Sequence, residues 1–203
     1  MMKGGRARDW NALYQQNPTP ETGDYMKASW FEPRYDSPAV CNVFIVSDFA
    51  VTEAREARDP DYTEHGVIGI GVDGKIYVLD WWHGQTTSDV WIEQLLDLAA
   101  KHKPLCWFGE GGVIRRAVEP FMVKRMRERN VFFRREWINP IADKATRGRA
   151  FQAQAASGNV IFPRSEPWAE RIIAQCIQFG AGGSHDDAFD VLALMCRCVD
   201  QAH

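Results

Sequence analysis

The 203-residue sequence predicts an α/β protein in which helices flank a central mixed β-sheet. Three observations lead to this prediction. Short apolar runs of strand length recur along the chain, an Asp-Gly turn signal separates two of the early runs, and stretches with helical spacing separate the later ones. A tight turn joins antiparallel strands, whereas a helix crossing over the sheet joins parallel strands. The first three strands should therefore be antiparallel to each other and the later ones parallel.

The first 40 residues predict an extended arm. They are rich in Pro, Gly, Asn and Asp, with single aromatic residues spaced through them. Such a composition is typical of an irregular segment attached to a core by its aromatic side chains. The folded domain should cover residues 41–203.

Three strands open the domain. The run CNVFIVSD (41–48) is continuously apolar until it ends in a carboxylate, which is expected of a buried central strand. The runs GVIGIGV (66–72) and KIYVLDWW (75–82) follow. They flank Asp73-Gly74, the strongest short signal for a β-hairpin.

Helices and strands alternate after this meander. Residues 88–102 have apolar residues at helical spacing, Ser88 as a candidate N-cap and Pro104 beyond the end. LCWFGE (105–110) is a second buried strand that ends in a carboxylate. The remaining elements are a helix at 113–129, a strand at 131–136, a helix at 143–157 closed by Gly158, a short strand at 159–163, and amphipathic helices at 168–179 and 186–199.

Composition excludes several classes of protein. Hydrophobic residues at 45% and charged residues at 25% are ordinary for a soluble globular protein, and no apolar run reaches membrane-spanning length. The N-terminal residues contain no secretory signal, so a cytoplasmic protein is expected. The five cysteines include no C-x-x-C pair, which favours reduced thiols over disulfides or a zinc ribbon.

Charge is distributed unevenly along the chain. The net charge of −3 alone argues against a nucleic-acid-binding protein, but residues 115–149 contain eleven basic and four acidic residues, a net charge of +7. The flanking residues 1–114 and 150–203 carry −7 and −3. A charge run is commonly a solvated helix surface, yet such asymmetry is also typical of a surface that contacts phosphates.

Two motifs resemble known sites without meeting their requirements. The segment from Gly69 to Ile76 is close to the phosphate-binding pattern G-x-x-x-x-G-K-[ST], but its last position lacks a hydroxyl and both flanks are strand-like. No ATPase site is therefore expected in this chain. Cys196 and Cys198 fall on different sides of a helix, so they predict buried thiols and no metal site.

Carboxylates occur at the ends of predicted elements. Asp48 and Glu110 each close a buried strand, and His185-Asp186-Asp187-Ala-Phe-Asp190 opens the last helix, with Asp187 and Asp190 on one helical face. Each feature alone is commonly a cap or a helix-terminal charge. Together they predict a cluster of hard oxygen ligands for Mg²⁺ or Mn²⁺. Two such ions can activate water and stabilise the leaving oxygen in phosphodiester hydrolysis.

The order of these elements and acids resembles the ribonuclease H-like fold, and specifically the nuclease domain of the large terminase subunit of tailed phages. The resemblance extends over nearly the whole chain. The segments that carry it are Trp10-Asn-Ala-Leu-Tyr14-Gln-Gln-Asn-Pro18 with Gly23 and Trp30, Ser47-Asp48, Asp61-Tyr62-Thr63, Glu110, Asp143-Lys144-Ala-Thr-Arg147-Gly-Arg149-Ala150, Gly158-Asn-Val-Ile-Phe162-Pro163, and His185-Asp186-Asp187-Ala-Phe-Asp190.

The resemblance implies a site and its partners. Asp48, Glu110 and Asp187 would be catalytic, and the same three with Asp186 and Asp190 would hold two Mg²⁺ or Mn²⁺ ions, Asp187 being favoured over Asp186. By the resemblance, Lys144 and Arg147 would face the active site or the DNA strand. Together with three arginines of the basic segment, they give the residues expected to contact double-stranded DNA, which are Lys144, Arg147, Arg149, Arg134 and Arg135. Further implied partners are the terminase ATPase domain, the small terminase subunit and the portal.

The function implied is endonucleolytic cutting of concatemeric viral DNA during genome packaging. One alternative is a free-standing ribonuclease H-like nuclease such as a junction resolvase, and another is a non-catalytic DNA-binding or docking remnant. Large terminase subunits also carry an N-terminal ATPase motor. This sequence starts after that motor, which predicts a cloned domain, a split gene or a prophage remnant.

Overall fold

The structure is a computed structural model that describes residues 25–50, 62–139, 144–179 and 187–201. The first 24 residues of the predicted arm lie outside the described residues. The strands are β1 (Arg34–Tyr35), β2 (Cys41–Asp48), β3 (Thr63–Gly71), β4 (Ile76–Gly84), β5 (Cys106–Glu110), β6 (Arg134–Ile138) and β7 (Val160–Pro163). The helices are α1 (Ser88–His102), α2 (Val113–Arg129), α3 (Lys144–Ala156), α4 (Pro167–Gln178) and α5 (Asp187–Gln201), and a 3₁₀ turn spans Ala28–Phe31.

The described strands form one seven-stranded sheet in the order β1-β7-β4-β3-β2-β5-β6. The pairs β2–β3 and β3–β4 are antiparallel, and the remaining neighbours are parallel. The predicted mixed α/β sheet, with an antiparallel meander followed by parallel strands, is confirmed.

The predicted hairpin between β3 and β4 is also confirmed. Gly74 has φ +78°, a left-handed conformation that costs glycine little. Its N–H donates to the carbonyl of Gly71 at 2.9 Å, and the N–H of Gly71 donates to the carbonyl of Lys75 at 2.9 Å. The segment that resembles a phosphate-binding loop is therefore a strand-turn-strand unit.

Helices cover both faces of the sheet. The core on one face contains buried residues of α3, α4 and α5, including Phe151, Ile172 and Phe189. The core on the other face contains buried residues of α1 and α2, including Leu95 and Met122. The sheet therefore separates two apolar layers, and a functional site can form where its strands end.

Several element boundaries differ from the prediction by one to three residues, and two of them show how a helix begins or ends. Helix α1 begins at Ser88 with Thr87 in the N-cap position, one residue earlier than predicted. Strand β6 begins at Arg134 and not at Val131, because Asn130 adopts a left-handed conformation at the end of α2 and the N–H of Val131 donates to the carbonyl of Met126. Residues 131–133 therefore form the connection between α2 and β6, although their apolar composition predicted a strand.

Residues 25–35 pack onto the domain. Met26 and Phe31 are fully buried in the core beside α3 and α4, and β1 adds a parallel edge strand next to β7.

The five cysteines are free thiols, with Cys196 and Cys198 buried as expected. In the described part of the chain, every helix is too short or too polar to cross a membrane.

Candidate active site

Four polar residues form a row across the ends of neighbouring strands. In the antiparallel ladders, Asp48 of β2 pairs with Glu64 of β3, and Glu64 pairs with His83 of β4. In the parallel ladder, Ser47 pairs with Gly109, so the next step of the register aligns Asp48 with Glu110 of β5. Paired residues project from the same face of a sheet. The row Glu110, Asp48, Glu64, His83 therefore faces the layer that contains α4 and α5.

The predicted carboxylates meet around Asp48. Burial raises the pKa of Asp48 well above its ordinary value, and the negative charges of Asp190, Glu110 and Asp187 raise the pKa further. The N–H of Phe49 donates to Oδ1 of Asp48 at 3.0 Å, and this hydrogen bond lowers the pKa of Asp48. Two strand ends and the first turn of α5 therefore bring four carboxyl groups near each other.

Helix α5 supplies two of these carboxylates from its first turn. Asp187 is buried, and its Oδ2 accepts a hydrogen bond from the N–H of Tyr62 at 3.3 Å. Asp190 lies one turn further along and is partly exposed. Asp186 lies outside the described residues. The helix N-terminus is favourable for negative charge, which partly offsets the repulsion.

The donor set fits a hard divalent cation in its chemistry. Every donor is a carboxylate oxygen, the ligand type that Mg²⁺ and Mn²⁺ prefer. However, among the described residues the His, Cys, Asp and Glu side chains form no group of three or more that is arranged to hold a metal ion.

A buried hydrogen-bond chain fixes the end of β2 from the opposite face. Trp107 Nε1 donates to Ser47 Oγ at 2.8 Å, and Ser47 Oγ lies 2.7 Å from His65 Nδ1. His65 Nε2 lies 2.9 Å from the carbonyl oxygen of Trp91. A neutral His65 protonated on Nε2 satisfies every bond in this chain. Gly109 is required here, since a Cβ would lie 2.5 Å from the Trp107 ring.

This Ser-His pair is therefore structural. Both side chains are fully buried, and burial lowers the pKa of His65 to about 4. A nucleophilic serine needs an accessible hydroxyl beside a base that can accept its proton. Here the pair holds Ser47 in place, and Asp48 is the next residue.

A second polar group, not predicted from the sequence, lies beside the acids. Glu64 is fully buried and accepts hydrogen bonds from Arg171 Nη1 at 2.8 Å, from Arg171 Nη2 at 3.0 Å and from Trp81 Nε1. The predicted second strand began at Gly66 and so left Glu64 outside the sheet. Extending the hairpin back from Asp73-Gly74 over two strands of equal length would have placed Glu64 inside β3.

Ion pairs neutralise much of the predicted basic segment. The carboxylate of Glu93 in α1 pairs with Arg125 Nε at 2.6 Å and with Arg129 Nη1 at 3.2 Å, and Asp97 pairs with Arg129 at 2.8 Å. These contacts join α2 to α1. The segment also contains the pairs Arg115–Glu119, Lys124–Glu128, Arg125–Glu128 and Arg134–Glu136. A charge of +7 counted along the sequence therefore overstates the positive charge of this surface.

The predicted DNA-contacting residues fall on different elements. Arg134 and Arg135 lie on edge strand β6, where Arg134 pairs with Glu136 and Arg135 lies 4.0 Å from Glu119. Arg149 in α3 is exposed and makes no ion pair with a described residue. The side chains of Lys144 and Arg147 lie outside the described residues. Among the three of these side chains that the structure describes, Arg149 is the one whose positive charge no described carboxylate neutralises.

The amino-acid sequence matches no protein family model and no curated protein. Solved structures nevertheless share its fold. The nuclease domain of the large terminase subunit gp2 of bacterial virus Sf6 has a TM-score of 0.63 at 11% identity, over 86% of this chain and 98% of that domain. The large terminase nuclease from thermophilic phage G20c, solved with bound magnesium, has a TM-score of 0.60 at 11% identity, over 88% of this chain and 98% of that one.

A third structure extends beyond the nuclease region. It is a large terminase from a thermophilic bacteriophage in complex with ADP, with a TM-score of 0.54 at 13% identity, over 81% of this chain and 41% of that one. Structural similarity at identities this low establishes the fold alone. Any statement about chemistry has to be argued from the residues of this chain. The chain has the ribonuclease H-like fold of the nuclease domains of phage large terminases.

Proposed function

We propose that this chain is a metal-dependent endonuclease that cuts concatemeric viral double-stranded DNA during genome packaging. The observation that carries the proposal is the meeting of Asp48, Glu110, Asp187 and Asp190 at one edge of the sheet. Bringing like charges together in a partly buried site costs free energy. A bound cation would offset this cost. A domain that only binds DNA gains nothing from such a cluster of carboxylates.

The acids are the ligands in this proposal. Asp48, Glu110 and Asp187 are assigned to catalysis, and Asp186 and Asp190 complete the set that holds two Mg²⁺ or Mn²⁺ ions. Bound divalent ions would supply an activated water and would stabilise the leaving oxygen of a phosphodiester. The magnesium-bound G20c nuclease and a manganese-bound Sf6 gp2 nuclease, which share the fold, support this choice of ions.

The chain itself contributes orientation. The backbone N–H of Phe49 donates to one oxygen of Asp48, and the backbone N–H of Tyr62 donates to one oxygen of Asp187. Each carboxylate therefore presents its other oxygen more consistently. The buried chain from Trp107 through Ser47 to His65 holds Ser47, the residue before Asp48, and so keeps the end of β2 in place.

DNA would approach from the edge of the sheet where the acids lie. We assign phosphate contacts to Lys144, Arg147, Arg149, Arg134 and Arg135, of which Arg149 is exposed and has no described carboxylate partner. The ADP-bound large terminase, which shares this fold over 41% of its length, supports the terminase ATPase domain as a partner. The small terminase subunit and the portal would be further partners, with the cytoplasm of the host cell as the location.

The direct test is incubation of the purified chain with supercoiled plasmid and Mn²⁺ or Mg²⁺, with an EDTA control. Conversion to nicked and linear DNA only with metal would support the proposal. Cleavage confined to branched junctions would instead identify a junction resolvase. DNA binding without any metal-dependent cleavage would identify a non-catalytic module and refute the proposal.

A further inference from the structure

The polar row continues beyond the acids on the side of β3 and β4. Glu64 and His83 are the next two members after Asp48, one strand and two strands away. Adjacent strands are spaced by about 4.8 Å, so the backbone of His83 lies on the order of 10 Å from that of Asp48. This distance is short enough for one nucleic-acid strand to contact both the acids and His83.

Arg171 of α4 lies over this part of the row. It uses Nη1 and Nη2 to hold the buried carboxylate of Glu64, and its side chain remains 27% exposed. A guanidinium has five N–H donors, so three remain after these two bonds. Its Nε is buried and has no hydrogen-bond partner among the described residues, so the donors left for a ligand are the second N–H groups of Nη1 and Nη2. Arg171 is thus fixed in orientation and retains two donors for a ligand.

His83 and Tyr62 continue the same surface. The two rings lie 5.3 Å apart between centroids, and His83 is exposed. Partial burial of the ring and the positive charge of Arg171 lower the pKa of His83, and the negative charge of Glu64 acts against them, so the imidazole lies near this ion pair. Tyr62 connects this group to the acids, because its backbone N–H donates to Asp187.

Stability alone is a weak explanation for the Glu64–Arg171 pair. Burying an ion pair rarely stabilises a fold more than apolar residues of the same volume would. An arginine held by a carboxylate is instead a common way to fix a planar donor group for recognition of phosphate. The partial exposure of Arg171 beside an exposed histidine fits that use.

We propose that Arg171 and His83, together with Tyr62, form a contact surface for the phosphodiester backbone of the DNA strand that lies at the acid cluster. The inference rests on the proposed nuclease function and adds to the basic residues already assigned. The donors of Arg171 and the imidazole N–H would bind phosphates that flank the one being cut. The Tyr62 ring would pack against the strand where it leaves the acids.

The test measures binding of a fluorescent DNA duplex by anisotropy in EDTA, so that cleavage does not interfere. Two variants are compared with the wild type: His83→Ala, and the double variant Glu64→Gln/Arg171→Gln, which leaves no unpaired buried charge. Each should raise Kd by about 3- to 10-fold at low salt, and the double variant should reduce the salt dependence of log Kd by about one phosphate contact. The matched control is Arg164→Gln, which removes an exposed arginine paired with Asp36 beyond the end of β7.

Circular dichroism and thermal unfolding confirm that the variants are folded. If both variants bind within twofold of Arg164→Gln, the inference is overturned. Should the double variant unfold, His83→Ala alone decides. A Kd raised at least 3-fold above that of Arg164→Gln supports the contact surface, and a smaller change overturns the inference. Wild-type cleavage with Mn²⁺ is measured separately, so a failed inference is distinguished from a failed function.

Discussion

Asp48 and Glu64 lie directly opposite each other in the ladder between β2 and β3, yet the two carboxylates have different surroundings. Glu64 is neutralised by the two Nη groups of Arg171 and by Trp81. Asp48 faces other carboxylates, which raise its pKa together with burial. One strand step therefore separates a satisfied ion pair from a cluster of carboxylates.

Replacing Asp48 or Asp187 with asparagine should abolish cleavage and keep the fold. Loss of a metal ligand should lower the rate of plasmid cleavage at least about 100-fold, while removal of one negative charge relieves repulsion in the metal-free protein. The melting temperature in EDTA should therefore be unchanged or higher. Asp36→Asn, an exposed aspartate paired with Arg164, is the matched control and should retain activity. Full activity in Asp48→Asn would refute the assignment of the metal site.

Divalent metal should strengthen DNA binding. The proposed ligands Asp48, Glu110, Asp186, Asp187 and Asp190 carry five negative charges, and two divalent ions would offset four of them. The formal net charge would then change from −3 to +1. A titration of labelled duplex at constant ionic strength, with Ca²⁺ or with EDTA, should give a several-fold lower Kd in Ca²⁺. The difference should disappear in Asp48→Asn, and an equal difference in that variant would count against the site.

The sheet was predictable because its signals are local. The Asp-Gly turn between β3 and β4, the apolar runs of β2 and β5 and the helical spacing of residues 88–102 each require only neighbouring residues. Asp48 and Glu110 were predictable for a related reason. Carboxylates that end buried parallel strands meet at one edge once the strands are adjacent.

The partners of the charged residues were not predictable in this way. Arg171 meets Glu64 across 107 residues of sequence, and Arg129 meets Asp97 across 32. A count of charge along the chain treats both arginines as equally available. Only the packing of α2 on α1 and of α4 on the sheet decides which of them a carboxylate neutralises.

Arginines in the basic segment should therefore differ in their contribution to DNA binding. Arg149→Gln should weaken binding several-fold and reduce its salt dependence by about one contact, because this side chain is exposed and has no described carboxylate partner. Arg125→Gln is the matched control, since Glu93 and Glu128 already pair with that guanidinium. Its Kd should change less than twofold. Equal effects in the two variants would show that the ion pairs of α2 open when DNA binds.

The buried His65 should make stability depend on pH in a defined window. Its pKa is lowered to about 4 in the folded protein, whereas an unfolded histidine titrates near 6.5. Between pH 6.5 and pH 4, His65 is protonated in the unfolded chain but stays neutral in the folded protein. Its contribution to the free energy of unfolding is therefore complete above pH 6.5 and is lost as the pH falls towards 4, by about 3 kcal/mol in all. Urea unfolding at pH 7.5 and pH 5 should therefore show a larger loss of stability on acidification for the wild type than for His65→Gln. The variant should be less stable at pH 7.5, because its bonds to Ser47 and to the Trp91 carbonyl are weakened. Equal acid sensitivity of the two proteins would mean that His65 already titrates normally in the folded state, which would contradict its burial.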